Sequence, residues 1–106
     1  MSIEIEIEGT AQGTQLRLAG ELTIYSVAEV KAALAGAMAT SDALEVDLAR
    51  VSEIDTAGLQ LMLIAKRHPG SRVRFVNHPP AVRRLIDLAN LGGAFGDPLF
   101  IAAIES

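Results

Sequence analysis

Residues 46–59 of this chain read VDLARVSEIDTAGL and join a predicted strand to a predicted helix. The strand, Ala43–Leu48, is rich in apolar residues, which is typical of a strand buried on both faces in a parallel sheet. Asp55 or Thr56 is the predicted N-cap, because a short polar side chain there can accept hydrogen bonds from the free amides of a first helical turn. The helix that follows, Ala57–Arg67, is apolar on almost every face, so we expect it to lie centrally in the fold.

The N-terminal sequence predicts a hairpin with one wet face. Isoleucines at positions 3, 5 and 7 alternate with glutamates, and residues 15–20 alternate again after a turn at 9–13. A period of two is typical of strands in which every second side chain faces solvent. Arg17 of the second strand would then face Glu4 or Glu6 of the first.

Residues 27–39 are predicted to form the first helix. Ser26 and Glu29 fit a capping box, in which the two side chains bind each other's free backbone amides. The apolar residues that follow at helical spacing are Val27, Val30, Leu34 and Met38. We expect these four to form the inner face of the helix.

The C-terminal half predicts a further strand and a further helix. The strand is Arg72–Val76, and Pro80 lies near the start of the helix. The inner stripe of this helix would be Val82, Leu85, Ile86 and Ala89. A short final strand or apolar tail follows at Leu99–Ile104. Helices and strands thus alternate after the hairpin, which predicts an α/β fold with right-handed crossovers.

Composition limits the classes of function. A chain of 106 residues is one domain, and the absence of cysteine excludes disulfides, thiolate nucleophiles and zinc–thiolate sites. A net charge of −4 and few aromatic residues argue against nucleic acid as a partner. The longest apolar run is far shorter than a membrane span, and the first residues lack the features of a signal peptide. We therefore expect a cytoplasmic protein without direct membrane insertion.

No residue pattern indicates an enzyme. The two histidines, His68 and His78, have no ligand partner at a recognised spacing, and we expect both to be exposed loop residues. Neither a phosphate-binding glycine motif nor a nucleophile motif is present. The sequence predicts no catalytic residue, no metal site and no cofactor.

The start of the second helix is the strongest candidate for a functional site. Thr56 places a hydroxyl where free amides and the helix dipole stabilise an added phosphate. Gly58 has no Cβ and would let another chain approach the first turn closely. The simpler interpretation is that Asp55 and Thr56 only cap the helix. Six of the nine basic residues lie beyond this point, where they form either a solvated face or a docking patch.

Three stretches of the sequence resemble the STAS domain, the family of bacterial anti-sigma factor antagonists that also occurs as the cytoplasmic tail of sulfate transporters. They are Gly20–Thr23, Val46–Leu59 and Pro80–Leu85, and they occur in the family's order. The resemblance implies a single STAS domain over residues 1–106. It also implies a four- to five-stranded mixed sheet covered by about three to four helices.

The resemblance further implies a partner-switching function. In that scheme the unphosphorylated domain binds an anti-sigma factor that is also a Ser/Thr kinase, phosphorylation breaks the complex, and a phosphatase resets it. Carried over by position, the phosphoacceptor is Thr56. The implied partner-binding residues are Glu21, Leu22, Thr23, Asp55, Thr56, Ala57, Gly58 and Gln60.

The sequence of the same helix also resembles two other branches of the family. Thr56–Leu63 is similar to the small STAS subunit of bacterial phospholipid-transport ABC systems, for which the partner would be an ABC ATPase subunit. The stretch is also similar to STAS proteins associated with chemotaxis signalling. The resemblance leaves these alternatives to the sigma-factor pathway open.

Overall fold

Four strands and three helices alternate in the computed structural model, which describes residues 3–68, 70 and 72–89. In chain order they are β1 (Ile3–Thr10), β2 (Gly13–Leu22), α1 (Val27–Thr40), β3 (Ala43–Ile54), α2 (Thr56–Lys66), β4 (Arg72–Val76) and α3 (Pro80–Leu88). This order is the one that the sequence predicts. The predicted final strand, Leu99–Ile104, lies outside the described residues.

The strands form one mixed sheet in the order β1-β2-β3-β4. β1 and β2 are antiparallel, as expected for a hairpin, whereas β2 pairs in parallel with β3, and β3 with β4. A helix joins the strands of each parallel pair, because such a connection must cross back over the sheet. The predicted α/β architecture with a mixed sheet is therefore confirmed.

β3 is buried on one face only. Leu44, Val46 and Leu48 belong to the core, whereas Glu45 and Asp47 between them are half-exposed. The prediction that this strand is buried on both faces was therefore wrong. Buried side chains of all three helices join the same core cluster as these three strand residues. The described helices thus cover one face of the sheet, and the opposite face of β3 stays polar.

β3 is also longer than predicted, because it continues to Ile54, and Arg50, Val51, Glu53 and Ile54 still pair with β2. Between Arg17 and Glu21, β2 advances by four residues while β3 advances by six. The two additional residues form β-bulges, which bend a strand and increase its twist. Ile54 is thereby brought opposite Leu22, so both strands end at the same edge of the sheet.

Arg17 pairs in the hairpin as predicted, but its side chain contacts a different glutamate from the two expected ones. Arg17 lies opposite Glu6, which is one of the two expected partners. Its guanidinium group instead forms an ion pair with Glu8. Because both side chains are solvent-exposed, the pair contributes little to stability.

α1 begins at the predicted residue but lacks the predicted capping box. Ser26 Oγ donates to the carbonyl oxygen of Glu21 at 2.7 Å and accepts from the Thr23 N–H at 3.0 Å. No side chain caps the helix, so the capping-box prediction was wrong. The buried residues of α1 are Val30, Leu34 and Ala37, with Val27 and Met38 packed at the edge of the core.

α2 and α3 each turn only one side to the core. α2 contacts both other helices, as expected for a central helix, but Ile64 is 60% exposed, so its apolar composition does not mean that every face is buried. In α3, Val82 and Ile86 are buried as predicted, Leu85 is partly buried and Ala89 is exposed just beyond the helix. Among the described residues, no helix has the length and apolar composition that crossing a membrane requires.

Candidate partner-binding site

The two segments that the sequence analysis selected meet where β2 and β3 end. Leu22 pairs with Ile54 in the sheet, and the Asp55 N–H then donates to the carbonyl oxygen of Leu22 at 3.3 Å. The start of α2 is therefore fixed against the end of β2. Residues 21–23 and 55–58, which lie more than 30 positions apart in sequence, become neighbours.

Asp55 holds this site together through both oxygens of its carboxylate. Oδ1 accepts from the Gly58 N–H at 3.1 Å and so caps α2, as predicted for one of the two N-cap candidates. Oδ2 accepts from the Ile24 N–H at 3.0 Å. Hydrogen bonds to a charged acceptor are stronger than neutral ones, and a carboxylate at a helix N-terminus is stabilised by the helix dipole. One side chain thus joins the first turn of α2 to the β2–α1 loop.

The β2–α1 loop, residues 23–26, is closed by its own hydrogen bonds. The Thr23 carbonyl accepts from the Ser26 and Val27 N–H groups, both at 2.9 Å. Thr23 Oγ1 accepts from the Tyr25 N–H at 3.3 Å. These bonds, together with those of Ser26 Oγ, explain why the serine does not cap α1. They also give the loop a fixed shape.

Gly58 is required by packing within the chain itself. It is buried, and a Cβ at this position would lie 2.9 Å from both Leu22 Cγ and Ile54 Cγ1, which is too close for a carbon–carbon contact. The expectation that this glycine leaves room for another chain therefore needs correction. Its missing side chain instead lets α2 pack closely on β2 and β3.

The predicted partner-binding residues differ in their access to solvent. Thr56 and Gln60 are exposed, and Glu21, Asp55 and Ala57 are half-exposed. Leu22, Thr23 and Gly58 are buried, with Thr23 only 8% exposed, so they support the surface from below. The accessible surface at this edge is therefore formed chiefly by the exposed and half-exposed residues, Thr56, Gln60, Glu21, Asp55 and Ala57.

Sequence reasoning missed the two most accessible apolar side chains near the site. Ile24 is 60% exposed and Tyr25 is 88% exposed, and both belong to the loop that Asp55 anchors. The sequence did contain a signal for their exposure. Ile24 and Tyr25 lie between a strand and a helix, so neither the strand period of two nor the helical period assigns them to a buried face. Exposed aromatic residues are common anchors of protein interfaces.

His78 departs from the expected exposed loop position. It follows β4, is only 9% exposed, and its Nδ1 has no hydrogen-bond partner. Burial, with the nearby charges of Arg83 and Lys66, lowers the pKa of His78 from 6.5 to about 4. The prediction was wrong for His78, whereas His68 is exposed as expected. Within the described part of the chain, no three His, Asp or Glu side chains are grouped so that they could hold a metal ion.

The chain belongs to the STAS domain family. The family model described as "Mlab, STAS domain" matches residues 5–101, which is most of the sequence. The resemblance found in the sequence is thereby confirmed. No curated protein matches the chain.

Several solved structures share the fold. An anti-sigma factor antagonist from Mycobacterium paratuberculosis is 24% identical with a TM-score of 0.77, and the match covers 88% of this chain and 82% of that protein. SpoIIAA, an anti-sigma factor antagonist, is 22% identical in its unphosphorylated form with a TM-score of 0.65, covering 85% and 84%. The phosphorylated form of SpoIIAA, a Bacillus cell fate determinant, is 24% identical with a TM-score of 0.65, covering 85% and 86%.

Proposed function

We propose that this STAS domain is a non-enzymatic, cytoplasmic binding module of the anti-sigma factor antagonist type. Its partner surface would consist of the start of α2 and the β2–α1 loop. The observation that supports this proposal best is the double contact of Asp55, which fixes the two segments in one arrangement. A fixed arrangement lowers the entropy lost on binding. The domain is taken to extend over residues 1–106.

The proposed switch is phosphorylation of Thr56. Thr56 is the first residue of α2 and is exposed, so a kinase could reach its hydroxyl. A phosphate there adds a charge of about −1.5 to −2, which the dipole of α2 stabilises in the free protein. In a desolvated interface beside the Asp55 carboxylate, the same charge is repulsive. A penalty of roughly 3–4 kcal/mol would weaken binding by about 10²–10³-fold.

The proposed partners are an anti-sigma factor that is also a Ser/Thr kinase and a phosphatase that reverses the modification. The unphosphorylated domain would bind the kinase, and phosphorylated Thr56 would be released from it. Solved antagonists of anti-sigma factors share this fold, which is consistent with the proposal.

The test is to measure the affinity of Thr56→Glu for a purified anti-sigma factor kinase from the same cell. We expect the affinity to fall at least about a hundredfold while the unfolding midpoint stays close to that of the wild type. Thr56→Ala should bind normally and accept no phosphate. Gln12→Glu is the matched control, because it adds one negative charge at an exposed turn at the opposite end of the sheet. Wild-type affinity in Thr56→Glu would refute the switch.

A second candidate is a constitutive subunit of a phospholipid-transport ATPase. The description of the matching family model, "Mlab, STAS domain", favours it over the chemotaxis alternative. The same surface would then hold an ATP-binding subunit permanently. Stable co-purification with such a subunit, without phosphate on Thr56, would select this candidate.

A further inference from the structure

An apolar groove runs between α1 and α2, on a different surface from the β2–α1 loop. It encloses about 310 Å³, and its larger lining side chains are Leu34 and Met38 of α1 and Leu61 and Ile64 of α2. Ile64 is 60% exposed although it lies in the last turn of α2, next to the buried Ala65. An isoleucine in this position leaves most of its apolar surface in contact with water, which is unfavourable unless another molecule covers it.

The shape of the groove suits a third helix. Ala35 and Ala39 line the α1 side and are exposed, so a neighbouring helix could approach the α1 backbone closely. A bound segment must satisfy its own backbone amides and carbonyls, because the walls are helices whose main-chain groups are already paired. A helix does so internally, whereas an extended segment requires the edge of a sheet.

The rim of the groove is basic. Lys31 of α1 and His68 beyond α2 are its polar lining residues, and Arg67 is exposed beside His68. Neither Lys31 nor Arg67 forms an ion pair with a described residue. The region therefore offers cations that have no ion-pair partner among the described residues, beside an apolar floor, although the whole chain carries a net charge of −4. Acidic side chains flanking an apolar helix face would complement both features.

We propose that the groove between α1 and α2 is a second docking surface, which receives an amphipathic helix of a protein partner with an apolar face and acidic flanks. The proposal rests on the proposed function only in that the domain acts by binding another protein. Gln60 and Ile64 lie one and two turns beyond Thr56 on the same face of α2. One partner could therefore contact the switch region and the groove together.

The test uses two synthetic helical peptides of about 18 residues, long enough to span the groove. Both carry the same leucine face, but one is flanked by glutamates and the other by lysines. Titration followed by amide chemical shifts should show the glutamate peptide binding at least about tenfold more tightly than the lysine peptide. The shifted amides should lie along α1 and α2. Equal affinities, or shifts confined to other surfaces, would overturn the proposal.

Variants separate the groove from the switch. Ile64→Glu should weaken binding of the glutamate peptide at least about tenfold, since it places an acid on the groove wall. Leu88→Glu is the matched control, because Leu88 of α3 is also an exposed apolar residue and does not line the groove. Thr56→Glu should leave peptide binding unchanged, so failure of the switch does not affect this result. Concentration-dependent dimerisation that Ile64→Glu abolishes would instead assign the groove to a second copy and refute the proposal.

Discussion

At the scale of single residues, Asp55 contributes to both stability and the site. Its carboxylate accepts one hydrogen bond from α2 and one from the β2–α1 loop, so its effects extend beyond a helix cap. Residue types at this position are restricted, because only a side chain with two acceptor oxygens at this reach can make both bonds. Asparagine has one such oxygen, and alanine has none.

Asp55→Ala should lower the free energy of unfolding by about 1–3 kcal/mol through the lost cap and the lost loop bond. Asp55→Asn should lie between alanine and the wild type. Urea unfolding measures the stability, and hydrogen exchange of the Ile24 amide reports the loop contact. Glu53→Ala, at an exposed position two residues earlier, is the control. Unchanged exchange of the Ile24 amide in Asp55→Ala would contradict the bridging role.

His78 makes stability depend on pH in a defined direction. Its pKa is about 4 in the folded chain and 6.5 in the unfolded chain, so only the unfolded chain takes up the proton between these values. Above pH 6.5 His78 is neutral in both states and does not reduce the free energy of unfolding. As the pH falls towards 4, protonation of the unfolded chain reduces that free energy progressively. The loss amounts to at most about 3 kcal/mol.

The His78→Leu variant should show a smaller fall in unfolding free energy between pH 7 and pH 4 than the wild type. His68→Leu is the control, because it makes the same replacement at an exposed position. Denaturant unfolding at a series of pH values makes the comparison. Identical pH profiles for the wild type and His78→Leu would show that His78 does not account for the dependence.

At the scale of elements, two glycines in helices have opposite roles. Gly36 lies inside α1, and a Cβ added there would meet nothing within 4 Å. Gly58 lies in the first turn of α2, where a Cβ would collide with the carbonyl oxygen of Leu22 and with the side chains of Leu22 and Ile54. Both positions hold glycine in the sequence, and only the packing around each helix distinguishes their roles.

Gly36→Ala should raise the free energy of unfolding by about 0.5–1 kcal/mol, because alanine has the higher helix propensity and fits without contact. Gly58→Ala should lower it by about 1–3 kcal/mol or more, through overpacking against Leu22 and Ile54. Thermal or urea unfolding of the two variants measures both effects. A destabilised Gly36→Ala or a neutral Gly58→Ala would contradict this packing.

At the scale of the whole molecule, the described helices and one face of the sheet form a single core. Leu48 is completely buried in it. On the opposite face, Glu45 accepts from Gln15 Nε2 at 2.9 Å and lies 3.7 Å from Arg74 Nη1. These polar contacts link three strands but remain partly exposed to water, so they contribute less than the apolar contacts of the core.

Leu48→Ala should therefore cost about 2–5 kcal/mol of unfolding free energy. Glu45→Ala should cost less than about 1 kcal/mol. The two residues lie three positions apart on β3, so local strand propensity cannot explain the difference. Urea unfolding compares them directly, and similar losses in both variants would contradict a core on one face only.

The order of the elements and the bounds of β4 follow from the sequence alone, and the N-cap of α2 was narrowed to Asp55 or Thr56, because these depend on periodicity and capping within a few residues. The sequence also determined the family, since its motifs lie in continuous stretches. The three-dimensional structure was needed to show that β3 has one wet face, that Gly58 packs on the chain's own strands, and that His78 is buried. It also decided that Asp55 binds the Ile24 amide. Each of these depends on contacts between residues far apart in sequence, whose register and bulges no local pattern contains.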